Sequence, residues 1–230
     1  MTSSDKSSGW FFTLLKKGKQ FWNYVWNGTS STSWILAILL AFILVRFIIY
    51  PLVGLIAGTN LPLVAVISGS MEHEGTFDEW WNSPAVCNNI TTCSQEEWYA
   101  KKNISQKNFS SFTLPNGFNK GDLILLHGKK PERISVGDVL VFNAKTPYPV
   151  IHRVVQKKPI THEQTNQTTY LFQTKGDHNW YQIQHDYVDE TTINSSQILG
   201  VAYARVPWFG WLKIWASQGI SSVASVIESS

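Results

Sequence analysis

Apolar and polar positions divide the chain into regions of different character. From Ser33 to Ala57 the run SWILAILLAFILVRFIIYPLVGLIA is broken only by Arg46 and the Tyr50-Pro51 pair. A bilayer core of about 30 Å needs around 20 apolar residues, so residues 33–57 predict a transmembrane anchor. The run is too long and starts too late for a secretory signal, and no small-residue cleavage site follows it. Tyr50-Pro51 predicts a kink, and Arg46 is expected to snorkel or to mark a shifted span. Before the anchor, Trp10, Phe11, Leu14, Leu15, Phe21, Trp22 and Val25 recur at near-helical spacing with lysines between them. Residues 1–32 therefore predict a basic amphipathic segment on a membrane surface.

Beyond residue 58 the apolar runs become short, rich in Val, Ile, Leu and aromatics, and mostly bounded by turn residues. They are 61–68, 122–127, 138–143, 150–156, 168–174 and 198–206, and they predict a mainly β, antiparallel region over 58–207. No helix–strand alternation and no internal repeat is visible. Residues 72–119, rich in Asn, Ser, Thr and Trp, hold neither period for long and read as a polar insertion. In the tail, 208–230, Trp208, Trp211, Leu212, Trp215, Ile220 and Val223 share one helical face with serines opposite. That pattern predicts an amphipathic helix in a membrane interface.

Composition sharpens this outline. Of 230 residues only 15% are charged, against roughly 25% in an average soluble domain, and net charge is +3. With no basic stripe interleaved with aromatics in a folded region, nucleic acid is not an expected partner. Lys6, Lys16, Lys17 and Lys19 precede the apolar span, and no Lys or Arg follows it until Lys101. This asymmetry predicts a single-pass protein of the cell membrane with a cytoplasmic N-terminus and an extracytoplasmic β region. Asn89, Asn103, Asn108, Asn166 and Asn194 open Asn-x-Ser/Thr acceptors, as expected of an exported glycoprotein. Cys87 and Cys93, the only two cysteines, suit a local disulfide outside the cell.

Candidate chemistry starts at Ser70, in Ser68-Gly69-Ser70-Met71 just after a predicted strand. Gly69 permits a tight turn that lifts a hydroxyl off the sheet, and a second serine offers an oxyanion donor. His152 lies mid-strand on the face of Val150 and Val154, opposite Arg153, where an apolar wall favours a neutral imidazole able to act as base. A carboxylate should orient it. If the strands around His152 and Thr174 pair as a hairpin, Asp177 emerges nearby, and Asp186 and Asp189 follow as alternatives. The other histidines show no dependable metal-ligand spacing, although His178, His185 and Asp186 form one loose grouping; no metal or cofactor is expected.

Four ordered segments resemble type I signal peptidases: Ser68-Gly69-Ser70-Met71, Val136 to Phe142, Ile151-His152-Arg153-Val154, and Thr174-Lys175-Gly176-Asp177 with Asn179. The histidine in the third segment, where bacterial members carry lysine, is similar to the archaeal and endoplasmic-reticulum branch. The resemblance implies a membrane-bound serine endopeptidase with a β-rich catalytic domain that cuts signal peptides from exported precursors. It implies Ser70 as nucleophile, His152 as base, Ser68 with the Ser70 amide at the oxyanion, and Asp177 in the Gly-Asp segment. A second family carboxylate falls on Ile183 or Gln184 here, leaving Asp186 as the nearest acid. Partners implied are signal-bearing precursors, membrane lipids and the secretion translocon. The competing expectation is a non-catalytic relative that binds partners through its exported domain.

Overall fold

A computed structural model describes residues 6–88, 90–163 and 167–211. The chain divides into two compact units, Met1–Val53 and Gly54–Ser230. In the first, α1 (Lys6–Asn27) and α2 (Ser31–Leu44) meet at a turn where Ser33 Oγ donates to the carbonyls of Tyr24 at 2.7 Å and Val25 at 3.1 Å. Ser30 caps α2 by accepting from Ser33 N. The predicted amphipathic segment is thus helical, and Phe12, Leu14, Leu15, Phe21 and Trp22 are exposed.

Helix continues from Ser31 to Ala57, 27 residues without a break. At 1.5 Å per residue that is about 40 Å, long enough to cross a bilayer core. Its most apolar stretch buries nothing against protein, as suits a segment solvated by lipid. Between α2 and α3 (Tyr50–Ala57) the turn Val45–Ile49 is a π-helix, with Tyr50 N bonded to Val45 O. Pro51 cannot donate to Phe47 O and its ring crowds that carbonyl, so the ladder shifts by one residue just before it. The turn just before Pro51 is thus wider than an α-turn, and Arg46 lies in it.

The second unit is mainly β. Its strands are β1 (Leu63–Ala65), then, after the insertion, β4 (Leu123–His127), β5 (Val139–Phe142), β6 (Val150–His162), β7 (Gln167–Lys175), β8 (Gln184–His185), β9 (Val188–Asp189), β10 (Ile193–Asn194) and β11 (Ile198–Val206). Seven form one antiparallel sheet in the order β1-β4-β11-β5-β6-β7-β10, and β8–β9 is a separate ribbon. Each of the six predicted strand runs overlaps a strand of this sheet, and β6 and β7 extend beyond theirs, β6 through His162. Period two explains how both sides become filled. On β5, Val139 and Val141 join a core with Val64, Val66, Met71, Phe118, Ile124 and Leu126. Leu140 and Phe142 join another with Val154, Phe172, Ile193 and Val201.

Residues 72–119, the insertion, are ordered. They fold into α4 (Phe77–Trp81), the hairpin β2 (Pro84–Cys87) and β3 (Thr91–Ser94), α5 (Gln95–Ala100) and α6 (Gln106–Ser110). The Cys87–Cys93 disulfide closes the hairpin. Trp80, Trp81, Trp98, Tyr99, Ile104 and Phe109 bury together against Val155 of β6, so this insertion has a core of its own. The helices are short enough to hide their period, and capping boxes at Thr76/Glu79, Ser94/Glu97 and Ser105/Asn108 define them instead. The tail beyond Trp211 lies outside the described residues.

Candidate active site

Ser70 follows β1, and His152 is on β6. In the sheet these strands are four places apart, about 19 Å if the sheet were flat. Curling brings them together: Ser70 Oγ is 3.0 Å from His152 Nε2. The close approach is built into the backbone. Ser70 O accepts from His178 N at 2.9 Å, and a Cβ on Gly176 would stand 2.7 Å from that same oxygen, so the strand end bearing Gly176 can pass Ser70 only without a side chain. Ser68 Oγ lies 3.2 Å from Ser70 Oγ.

The other imidazole nitrogen meets a glutamate. His152 Nδ1 is 2.5 Å from Glu190 Oε1; the histidine is 3% exposed and Glu190 fully buried. Glu190 has no freedom to turn away. Thr174 Oγ1 donates to Oε1 at 3.0 Å, Ile183 N donates to Oε2 at 2.7 Å, and its backbone pairs with Thr174 and Ile183. Both of its carboxylate oxygens thus accept from neighbouring donors. Nδ1 then carries the ring proton and Nε2 presents its lone pair to the Ser70 hydroxyl.

Asp177 lies elsewhere. Lys175 pairs with Arg153 across β6 and β7, so Asp177 falls on Arg153's side of the hairpin and His152 on the other. Its carboxylate accepts from Arg153 Nε at 2.9 Å, Arg153 Nη2 at 2.7 Å and Tyr99 OH at 3.2 Å, and lies 3.1 Å from His73 Nε2. Burial alone would raise this carboxyl, but the Arg153 guanidinium and the His73 hydrogen bond outweigh it and hold it well below the usual carboxylate range. Asp186 is exposed in the turn between β8 and β9, and exposed Asp189 accepts from Thr191 and Thr192. None of the three expected aspartates is the partner of His152 Nδ1; Glu190 is. The sequence Val188-Asp189-Glu190 carries no signal that separates its two acids; only in the structure does the strand alternation, Val188 buried, Asp189 exposed, Glu190 buried, turn the glutamate inward.

A cleft of about 880 Å³ between Trp98, Lys101, Lys102, Tyr181 and Gln184 includes none of Ser70, His152 or Glu190.

No family model matches the chain. It is 26% identical over 179 residues to the signal peptidase complex catalytic subunit SEC11 of Komagataella phaffii, a match spanning 75% of this chain and 76% of that protein. The corresponding subunits of Aspergillus terreus and Zygosaccharomyces rouxii are 26% and 29% identical over 125 and 115 residues. Each of those two matches spans 47% of this chain and 63% of the relative. The chain is thus distantly similar to signal peptidase catalytic subunits of this kind.

Proposed function

We propose that this distant homologue of signal peptidase catalytic subunits is a membrane-anchored serine endopeptidase that removes signal peptides from exported precursors. The observation that carries the reading is the pair of contacts on one buried imidazole, Ser70 Oγ at Nε2 and Glu190 Oε1 at Nδ1. Ser70 is the nucleophile, His152 the general base, and Glu190 the carboxylate that fixes the tautomer and stabilises the imidazolium.

The steps follow from these positions. A precursor's cleavage region leaves the bilayer extended and adds along β1, which lies at the edge of the sheet and pairs only with β4 among the described strands. Ser70 Oγ attacks the scissile carbonyl carbon as His152 Nε2 takes its proton. Ser68 and the Ser70 amide donate to the oxyanion. The imidazolium returns its proton to the leaving amine, and an acyl-enzyme remains on Ser70. Water, deprotonated by the same Nε2, releases the signal peptide and restores the hydroxyl. Arg153 and Asp177 neutralise each other off to one side and take no proton in this scheme. The Ser31–Ala57 helix confines enzyme and precursor to one membrane, raising their effective concentration, with the N-terminus cytoplasmic and the β unit across the bilayer.

The test is a precursor-processing assay with the full chain in detergent micelles. Wild type should cut a signal-bearing precursor, and Ser70→Ala should leave it uncut. In cells, uncut precursor should accumulate in that variant. Normal processing by Ser70→Ala would return the chain to the rival class of partner-binding relatives without catalysis.

A further inference from the structure

The insertion touches the same short segment that carries Ser70. Its two ends close there: Phe118 N donates to Met71 O at 3.0 Å, and Lys120 N donates to Glu72 Oε1 at 2.9 Å. Gly117 sits at φ +62, and a Cβ there would run into Met71 O. From the opposite side, His178 N holds Ser70 O at 2.9 Å and Asp177 N points to Met71 Sδ at 3.4 Å. The nucleophile turn is therefore clipped between the base of the insertion and residues 176–178.

Residues 176–178 are in turn held by the body of the insertion. Trp80 Nε1 donates to Asp177 O at 3.2 Å and Tyr99 OH donates to Asp177 Oδ1 at 3.2 Å. Gln95 Oε1 accepts from Lys175 Nζ at 2.8 Å, and that ammonium also donates to Gly176 O at 3.1 Å. Carbonyls of Thr113 and Leu114 take Arg153 Nη1 and Nη2, each at 2.8 Å, so Asp177's cation is tied to the insertion as well. His73, at the insertion's start, stacks on Trp80 at 3.6 Å between centroids. Its Nδ1 has no partner among the described residues, so the ring proton sits on Nε2 and faces Asp177.

We infer that the insertion is a positioning element for catalysis: Tyr99 and Trp80 hold Asp177 and its backbone, and through them fix Ser70 against His152. The inference rests on Ser70 being the nucleophile. It assigns no contact with substrate to either residue. Their effect belongs in kcat, because a displacement of a reacting oxygen by about 1 Å can cost as much as 100-fold.

The experiment compares wild type, Tyr99→Phe and Tyr99→Phe/Trp80→Phe as full chains in detergent micelles. Four quantities are read: kcat and KM on a signal-bearing precursor, the thermal midpoint, and the ¹⁵N resonance of His152 Nε2, with Ser70→Ala as its reference. The double variant should lose about tenfold in kcat at nearly constant KM. Its Nε2 resonance should move toward the Ser70→Ala position. Unchanged kcat and unchanged Nε2 resonance in a folded double variant, even with a lower midpoint, would reduce the insertion to a stabilising role and overturn the inference. Should the double variant not fold, Tyr99→Phe decides alone, since it removes one hydroxyl and no packing. If wild type cuts no precursor, the protease reading fails, while the resonance comparison still judges the clamp.

Discussion

The two faces of the β6–β7 hairpin carry polar clusters built on opposite principles. On one face, His152, Thr174 and Glu190 satisfy one another except at His152 Nε2, which points to the Ser70 hydroxyl. On the other, Arg153 spends its Nε on Asp177, Nη1 on Thr113 O and Gly137 O, and Nη2 on Leu114 O and Asp177. All of its N–H groups have partners, and Asp177 gains Tyr99 and His73 in addition. A site for proton transfer needs an acceptor left open toward the reactant. The Arg153–Asp177 pair leaves none open and instead specifies one arrangement of the backbone around it. Adjacent residues, His152 and Arg153, thus divide chemistry from positioning by the alternation of a strand.

The largest effect should come from the open face. Glu190→Gln preserves shape but turns an acceptor into an amide whose NH2 can face Nδ1. The ring then favours the tautomer with its proton on Nε2, which cannot take one from Ser70. The equivalent exchange in a serine-protease triad costs about 10⁴ in kcat, and a loss of that order is expected in the precursor assay. His152→Ala should lose at least about 10². Asp186→Asn and Asp189→Asn, at exposed sites, should cut precursor nearly as wild type does. Full activity in Glu190→Gln would erase the distinction between the faces.

Much of this arrangement is legible in the sequence, and the failures have physical causes. The strands of 122–127, 138–143, 150–156, 168–174 and 198–206 announce themselves because short β-branched runs end at turn residues. Ser70 and His152 are legible from local context, and the structure places them 3.0 Å apart. Glu190 was not, because a β6–β7 hairpin alone puts Asp177 at the right height without saying which side it faces; the Arg153–Lys175 pairing decides that. The short helices of the insertion were illegible for a different reason. Helices of five and six residues are too short for an apolar period, so their evidence lay in Thr76-x-x-Glu79 and Ser94-x-x-Glu97 rather than in periodicity. Nor can a linear chain show that its aromatic residues close over Asp177, since that depends on sheet curvature.

On the closed face the expected loss is of stability first. Asp177→Asn leaves the fully buried Arg153 without its counter-charge. Removing one partner of a buried pair typically costs about 3–5 kcal/mol, measurable as a shift in the denaturation midpoint. Any loss of activity should follow that unfolding or the displaced Ser70. Under Glu190→Gln, by contrast, the midpoint should change less than kcat does. Equal stability losses in the two variants would mean that the faces are one network.

Lys175 supplies a test that uses pH alone. Burial pushes its ammonium down to about 7, against the opposing charges of Asp177 and Glu190 and with the help of Arg153. The ordinary lysine value is 10.5, so between about pH 7 and 10.5 the unfolded chain holds a proton that the folded protein lacks. The unfolded state binds more protons there, and stability must rise with pH across that window, by up to about 1.4 kcal/mol per pH unit. Below it, both states are protonated and this dependence vanishes. Chemical denaturation of wild type and Lys175→Met at pH 7 and pH 9 should show a rise in the first that is absent from the second.

The smallest effect should come from the Cys87–Cys93 bridge. It spans six positions and closes the β2–β3 hairpin. So short a loop gains at most about 2 kcal/mol from cross-linking. Among the described residues, none of the hydrogen bonds of Asp177 involves β2 or β3: its oxygens accept from α4, α5, His73, Lys175 and Arg153, and its N–H donates to Met71. Cys87→Ala/Cys93→Ala should therefore lower the midpoint slightly and leave kcat on a signal-bearing precursor where it was. A fall in kcat as large as that of the Tyr99→Phe/Trp80→Phe variant would show that the whole core of the insertion, and not its few donors, sets the position of Ser70. The separation of the two faces would then have to be redrawn, because packing rather than directed hydrogen bonds would carry the positioning.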